Sequence, residues 1–144
     1  MKIYFSGALV QRNKFGKYYQ IIVDMLKDLG HEVWQDSTFT PMSEVVAKTK
    51  KQKISYYLQV LKWIENCDLV VLEVSYPSTI NIGHEISMAK TASKPVLALY
   101  YQGYKPELLS EIESFGFRLV EYRLDNLEKL VEFEISKFFF TQTS

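Results

Sequence analysis

The chain lacks the features that mark secreted, disulfide-bonded and membrane-spanning proteins. Its 144 residues include one cysteine, Cys67, which cannot form an intrachain disulfide. Because Cys67 directly precedes an apolar run, we interpret it as a buried, inert thiol in a reducing compartment. No apolar run approaches the roughly 20 residues that a transmembrane helix needs, and MKIYF leads directly into a strand pattern instead of a signal peptide. We therefore expect a cytoplasmic protein with no membrane partner.

An excess of charge of either sign is also missing, since 17 basic residues balance 17 acidic ones. A field of one sign that would attract the whole molecule to nucleic acid is thereby excluded, and we expect no nucleic-acid partner. Aromatic residues are plentiful instead, with ten Tyr and nine Phe. This number exceeds what a small core needs, so we expect some of them to line a pocket or a subunit interface.

Strand and helix patterns alternate five times along the chain. Short β-branched runs predict strands at 2–6, 31–35, 69–74, 96–100 and 117–122, and apolar residues spaced by three and four predict helices between them and after the last. We predict helices at 13–29, over most of 42–66, through 82–89, at 106–114 and at 127–138. This alternation favours an α/β fold of one domain, 1–144, with a doubly wound five-stranded parallel sheet in the flavodoxin-like order 2-1-3-4-5.

The stretch CDLVVLEVSYPSTINIGHEISMA at 67–89 contains the strongest candidate for chemistry. Glu85 falls in the first turns of a predicted helix that Asn81 or Thr79 can cap, just past the carboxyl end of the third strand. Ligands of open α/β sheets bind at that edge, and Ser78 and Gly83 lie close to Glu85 in sequence. His84 is also adjacent, but a histidine near a helix start is commonly solvated, and we leave it out of the catalytic set.

Two stretches together resemble the nucleoside 2-deoxyribosyltransferase family, and most closely its smaller 2′-deoxynucleoside 5′-phosphate N-hydrolases. The first is KIYFSGAL at the amino terminus, and the second is WIENCDLVVLEVSYPS followed by IGHEISMAKTASKPVLALY. Their order, their spacing and the chain length all match. The resemblance implies an enzyme in which a glutamate attacks C1′ of a nucleoside or nucleotide and forms a glycosyl-enzyme that is released to water or to another base. It implies no cofactor and no metal.

Carried over to this chain, the resemblance assigns four residues. Glu85 is the nucleophile, Tyr4 is a pocket tyrosine, Ser78 helps to hold the 5′-phosphate, and Ser110 serves the site of a neighbouring subunit. The resemblance thereby implies a homodimer with shared active sites and a small-molecule nucleoside or nucleotide as substrate. A family aspartate three residues before Trp63 is replaced here by Val60.

The residues themselves add further candidates and leave some roles open. Asp36, at the carboxyl end of the second strand, is the nearest alternative acid for the leaving base, although loop acids commonly cap turns. Backbone N–H groups at the Gly7 turn and the Asn81 helix start are candidates for binding phosphate. Glu85 itself could simply complement the positive end of its helix, and Ser78 could be only a turn residue. Glu73 lies inside an apolar strand, so we expect it to be hydrogen-bonded and structural.

Two further expectations concern the basic cluster and the aromatic residues between 48 and 63. Lys48, Lys50, Lys51 and Lys53 could attract a phosphate, but a solvated turn between helices is the commoner role of such a cluster. Tyr56, Tyr57 and Trp63 are expected in the core or in a lid.

Three functions remain compatible with the sequence. The first is hydrolysis of the N-glycosidic bond of (deoxy)nucleoside 5′-monophosphates. The second is exchange of bases between deoxynucleosides, which would require an acceptor base. The third is nucleotide binding without catalysis, which would show ligand-dependent thermal stabilisation and no product.

Overall fold

The fold was analysed on a computed structural model, which describes residues 1–35, 39–106 and 116–142. Five strands form one sheet: β1 (Lys2–Gly7), β2 (Glu32–Gln35), β3 (Leu69–Glu73), β4 (Val96–Tyr101) and β5 (Phe117–Tyr122). Their order is β2-β1-β3-β4-β5, and every neighbouring pair is parallel. The predicted flavodoxin-like topology is therefore confirmed.

The helices follow the predicted alternation, with different boundaries. They are a short 3₁₀ helix (Leu9–Gln11), α1 (Arg12–Asp28), α2 (Met42–Ala47), α3 (Lys50–Asn66), α4 (Ile80–Thr91) and α5 (Leu127–Gln142). The segment predicted as mostly helical at 42–66 is divided into two helices, because Thr49 caps α3 in a capping box with Gln52. The helix predicted at 106–114 falls, from residue 107 onward, outside the described residues.

Each face of the sheet carries one part of the core. The side chains of β1 alternate, so that Ile3 and Phe5 pack against α1 and α5, while Tyr4 packs against α3 and α4 on the opposite face. All five residues of β3 are buried, as the apolar run predicted for a central parallel strand. Because α3 and α4 share a face, the first turns of α4 lie beside α3 at one edge of the sheet.

Among the described residues, no helix is both long enough and apolar enough to cross a bilayer.

Candidate active site

A pocket of about 410 Å³ lies at the carboxyl end of β1, between α3 and α4. Four parts of the chain form its walls: the turn after β1, the α2 segment with its end, one face of α3, and the start of α4. The described residues that line it are Ser6, Gly7, Ala8, Leu9, Val45, Lys48, Lys53, Tyr56, Tyr57, Val60, Thr79, Asn81, Ile82, His84, Glu85 and Met88. The pocket therefore lies at the sheet edge where ligands of open α/β folds bind.

Glu85 is the one carboxylate among the described residues that line the pocket. It lies in the second turn of α4 and is only 9% exposed, between the buried side chains of Ile82 and Ile86. Position near the helix start favours its negative charge, because the N-terminal end of a helix carries partial positive charge. A carboxylate at this depth, facing a cavity, is placed to meet positive charge that develops on a bound ligand.

Some of the predicted binding residues line this pocket and others do not. Gly7 and Asn81 line it together with Glu85, whereas Ser78 and Gly83 are close in sequence but are not among the lining residues. Ser78 is half-buried in the loop before α4, and Gly83 is exposed on the helix. Thr79 occupies the N-cap position of α4, although its side chain makes no capping hydrogen bond.

Tyr4 is fully buried in the core below the pocket. Its ring centroid lies 6.2 Å from that of Trp63 on α3, and Val60, which is 5% exposed, belongs to the same core cluster while also lining the pocket. The role of Tyr4 as a pocket residue stays a prediction. Asp36 and Ser110 lie outside the described residues.

The turn after β1 requires glycine at position 7. A Cβ atom at Gly7 would come within 2.8 Å of the ring of Tyr19 on α1. Tyr19 is held there because it is 1% exposed and its hydroxyl donates to the carbonyl oxygen of Ala8 at 3.2 Å. The close approach of Tyr19 therefore shapes the backbone of the pocket wall that Gly7 and Ala8 form.

One face of α3 contributes four pocket residues, of which the sequence analysis had connected only Val60, at the position of the family aspartate, with the site. Lys53, Tyr56, Tyr57 and Val60 recur at the three- and four-residue spacing of one helix face, and this pattern could have identified them. Lys48, at the end of α2, also lines the pocket, and its Nζ lies 4.1 Å from the ring centroid of Tyr56. Two cations and two aromatic rings from the end of α2 and from α3 thus line the pocket.

His84 is exposed, as expected, but it also lines the pocket and has a defined partner. Its Nε2 lies 3.0 Å from the hydroxyl oxygen of Tyr57, and the two rings stack with centroids 5.8 Å apart and an interplanar angle of 20°. This contact joins α3 to α4 next to Glu85. No local sequence pattern indicates it, because the two residues are 27 positions apart and meet only when the helices pack.

A second buried carboxylate, Glu73, lies at the end of β3. Its Oε1 accepts hydrogen bonds from the backbone N–H of Ser75 at 2.9 Å and from the Ser75 hydroxyl, whose oxygen in turn accepts from the N–H of Tyr101 at 2.8 Å. The expectation of a hydrogen-bonded structural carboxylate is confirmed for this oxygen. Among the described residues, Glu73 Oε2 and the Tyr122 hydroxyl have no hydrogen-bond partner.

Burial controls the ionisation of this second carboxylate. It raises the pKa of Glu73 to about 7, although the hydrogen bonds from Ser75 lower it. Burial also raises the pKa of Tyr122, and the nearby charge of Glu73 raises it further. Glu73 is not among the residues that line the pocket, so we assign it to the framework that fixes the loop between β3 and α4.

Within the described residues, no cluster of three or more His, Cys, Asp or Glu side chains could hold a metal ion. The pocket offers one buried carboxylate, the cations Lys48 and Lys53, and the hydroxyl groups of Tyr56 and Tyr57. This combination can bind an anionic sugar phosphate and stabilise a developing cation at one carbon.

Sequence comparison with known proteins finds relatives that are named as N-hydrolases. No family model matches the sequence. A protein of Syntrophotalea carbinolica named "Putative 2′-deoxynucleoside 5′-phosphate N-hydrolase 1" is 32% identical over 131 residues, which cover 90% of this chain and 89% of that protein. The 5-hydroxymethyl-dUMP N-hydrolase of Rattus norvegicus is 29% identical over 101 residues, covering 68% of this chain and 60% of that protein.

A solved structure with the same fold is that of the 2-deoxyribosyltransferase of Bacillus psychrosaccharolyticus. It superposes with a TM-score of 0.63 at 16% identity, over 89% of this chain and 90% of that one. The likeness supports the flavodoxin-like topology. Given the identity of 32% to the Syntrophotalea carbinolica protein over nearly the full length of both chains, this chain belongs to the 2′-deoxynucleoside 5′-phosphate N-hydrolase family.

Proposed function

We propose that this protein hydrolyses the N-glycosidic bond of (deoxy)nucleoside 5′-monophosphates and that Glu85 is its nucleophile. The observation that carries the proposal is the position of Glu85, which is 9% exposed and is the one carboxylate among the described residues lining the pocket. The relatives named as a 2′-deoxynucleoside 5′-phosphate N-hydrolase and a 5-hydroxymethyl-dUMP N-hydrolase support this substrate class.

The chemistry needs a carboxylate at this place. Breaking a bond between C1′ and a base nitrogen passes through an oxocarbenium-like state, whose positive charge a carboxylate below the sugar stabilises. Glu85 then forms a covalent bond to C1′, and water releases the sugar phosphate in a second step. The apolar neighbours Ile82 and Met88, which also line the pocket, lower the local dielectric and strengthen this interaction.

We place the 5′-phosphate at the two chain turns that border the pocket. Gly7 and Asn81 both line the pocket, and the N-terminal end of α4, where Asn81 lies, favours an anion. Ser78 lies in the loop directly before this helix start, and we propose that it completes the site together with Ser110 of a second copy. Lys48 and Lys53 add positive potential that attracts the dianionic substrate.

A panel of ribo- and deoxynucleoside 5′-monophosphates tests this function, with release of free base measured by chromatography. We expect at least one deoxynucleotide to be cleaved and Glu85→Gln to lower kcat on the order of 10⁴-fold. The control is Glu65→Gln, the same substitution at an exposed glutamate of α3 outside the pocket, which should retain wild-type kcat. Release from none of the nucleotides, or equal release by Glu85→Gln, would remove the proposal.

Hydrolysis and base exchange can be separated in the same assay. Adding a second free base should leave the rate of sugar phosphate formation unchanged if water is the acceptor. A requirement for the added base, with a new nucleotide as product, would instead identify a transferase.

A further inference from the structure

We propose that His84, held by Tyr57, protonates the departing base. The inference rests on the proposed function, because it assigns the second half of the same reaction. It follows from the contents of the pocket: Glu85 is the one carboxylate among the described lining residues, and a single carboxylate cannot both attack C1′ and protonate the leaving nitrogen.

The geometry gives His84 a fixed orientation, which a proton donor needs. Its Nε2 is 3.0 Å from the Tyr57 hydroxyl oxygen, and the ring stacks on the Tyr57 ring. His84 is also the immediate chain neighbour of Glu85 on α4, so the helix holds both side chains at the same pocket. A histidine free in solvent would lose this orientation and the rate advantage that comes with it.

The hydrogen bond to Tyr57 also determines which nitrogen of His84 can act. In the imidazolium form, Nε2–H donates to the Tyr57 oxygen and Nδ1–H is available to the base. After the transfer the neutral ring keeps its proton on Nε2, and Nδ1 is the atom that first gives the proton and later takes one back. The other charged groups that line the pocket among the described residues are Lys48, Lys53 and Glu85.

The two steps balance in atoms and electrons. In the first, a Glu85 oxygen bonds to C1′ while the C1′–N bond breaks, its electron pair stays on the base nitrogen, and the His84 imidazolium gives that base a proton. In the second, water oxygen displaces the Glu85 oxygen from C1′, and the proton that water loses returns to His84. The products are free base and sugar phosphate, and the enzyme is restored.

The test compares two substrates that differ in their need for a proton. A natural deoxynucleoside 5′-monophosphate needs protonation of its base, whereas 4-nitrophenyl 2-deoxyriboside 5-phosphate releases a stable phenolate without it. We expect His84→Ala to lower kcat on the nucleotide by 10² to 10⁴-fold, the range typical of a lost general acid, and to leave the 4-nitrophenyl substrate within about tenfold of wild type. His31→Ala, at the chain's other histidine, is the control, because His31 contacts Met1 outside the pocket.

Tyr57 acts on the reaction through His84 and is a positioning residue. Tyr57→Phe keeps the stacked ring and removes only the hydroxyl, so it should slow the nucleotide less than His84→Ala does. A positioning role predicts that this loss, too, disappears with the 4-nitrophenyl substrate. A purely structural role would slow both substrates equally.

The outcomes separate this inference from the proposed function. If the wild type cleaves both substrates and His84→Ala slows both equally or neither, the inference is wrong and the function stands. The same conclusion follows if Asp36→Asn, and not His84→Ala, shows the substrate-dependent loss. If the wild type cleaves neither substrate, the proposed function fails and this inference fails with it.

Discussion

The Tyr57 hydroxyl lies 3.0 Å from Nε2 of His84, and this contact links the middle of α3 to the first turns of α4 at the rim of the pocket. The two helices contribute different chemistry to that pocket. α4 supplies the buried carboxylate of Glu85, and α3 supplies cationic and aromatic side chains on one face. The Tyr57–His84 pair therefore joins the helix that contains Glu85, the proposed nucleophile, to the helix that supplies the aromatic and cationic wall of the pocket.

Replacing Gly7 should destabilise the fold through Tyr19. Gly7→Ala places a Cβ atom within 2.8 Å of a ring that is fully packed, so the ring or the β1 turn must move. We expect a loss of about 1–3 kcal/mol in the free energy of unfolding, measured by urea denaturation.

The matched control for Gly7→Ala is Gly83→Ala. An added Cβ at Gly83 meets nothing within 4 Å, and the residue lies inside α4. Alanine should therefore raise the free energy of unfolding by about 0.5–1 kcal/mol. Equal effects of the two substitutions would contradict the packing argument.

Glu73 should make stability depend on pH in a defined direction. Its folded pKa of about 7 lies above the usual 4.5, so the folded state retains a proton that the unfolded state releases between these values. The stabilisation is complete below about pH 4.5 and is lost as the pH rises through about 7. Glu73→Gln cannot ionise, so its stability relative to wild type should increase over this window by up to roughly 3 kcal/mol.

Denaturation curves at a series of pH values check this prediction. Glu128→Gln, at an exposed position in the first turn of α5, serves as the control and should follow wild type at every pH. Stability curves of Glu73→Gln and wild type that run parallel from pH 4 to pH 8 would show that Glu73 ionises as an ordinary exposed glutamate.

The lysines that line the pocket should affect the KM for a phosphorylated substrate. Lys53→Ala should raise KM severalfold for a nucleotide and much less for the uncharged nucleoside, because the positive potential acts on the phosphate. Added salt should reduce this difference. Lys51→Ala, two residues earlier and exposed outside the pocket, is the control, and an equal rise in its KM would contradict a local effect.

A homodimer with shared sites predicts that two impaired variants complement each other. Glu85→Gln lacks the proposed nucleophile and Ser110→Ala lacks the proposed phosphate contact, so each homodimer should be slow. If Ser110 serves the neighbouring site, a mixed dimer contains one site with both residues intact. Activity should therefore rise when the two proteins are mixed and exchanged, and no rise would mean that Ser110 acts within its own subunit or not at all.

Most of the fold could be predicted from the sequence, because the local sequence patterns agree with the strands and helices of the structure. The apolar run at 69–74 identified the central strand, and the helix predicted at 13–29 corresponds to α1, just past which Gly30 adopts a φ of +90°. The break between α2 and α3 was missed, although Thr49 and Gln52 form a recognisable capping box.

Three of the predicted site residues lie at one pocket. Glu85, Gly7 and Asn81 were chosen because parallel strands bring their carboxyl ends to one edge; all three line the pocket, and their roles stay predictions. Tyr57 and His84 could not be paired from sequence, since their contact depends on how α3 packs against α4. The burial of Glu73 was indicated by its place in the apolar run at 69–74, whereas the hydrogen bonds from Ser75 that lower its raised pKa became visible only in the structure.

The central claim is that Glu85 becomes covalently bound to the sugar, and mapping the modified peptide tests it most directly. A 2′-fluoro-2′-deoxynucleoside 5′-monophosphate suits this measurement, because fluorine destabilises the oxocarbenium-like state and allows the glycosyl-enzyme to accumulate. After an acid quench during turnover, we predict that mass spectrometry finds the sugar phosphate on the peptide that contains Glu85. A sugar phosphate on a peptide that lacks Glu85, or unmodified enzyme while base is being released, would contradict the account.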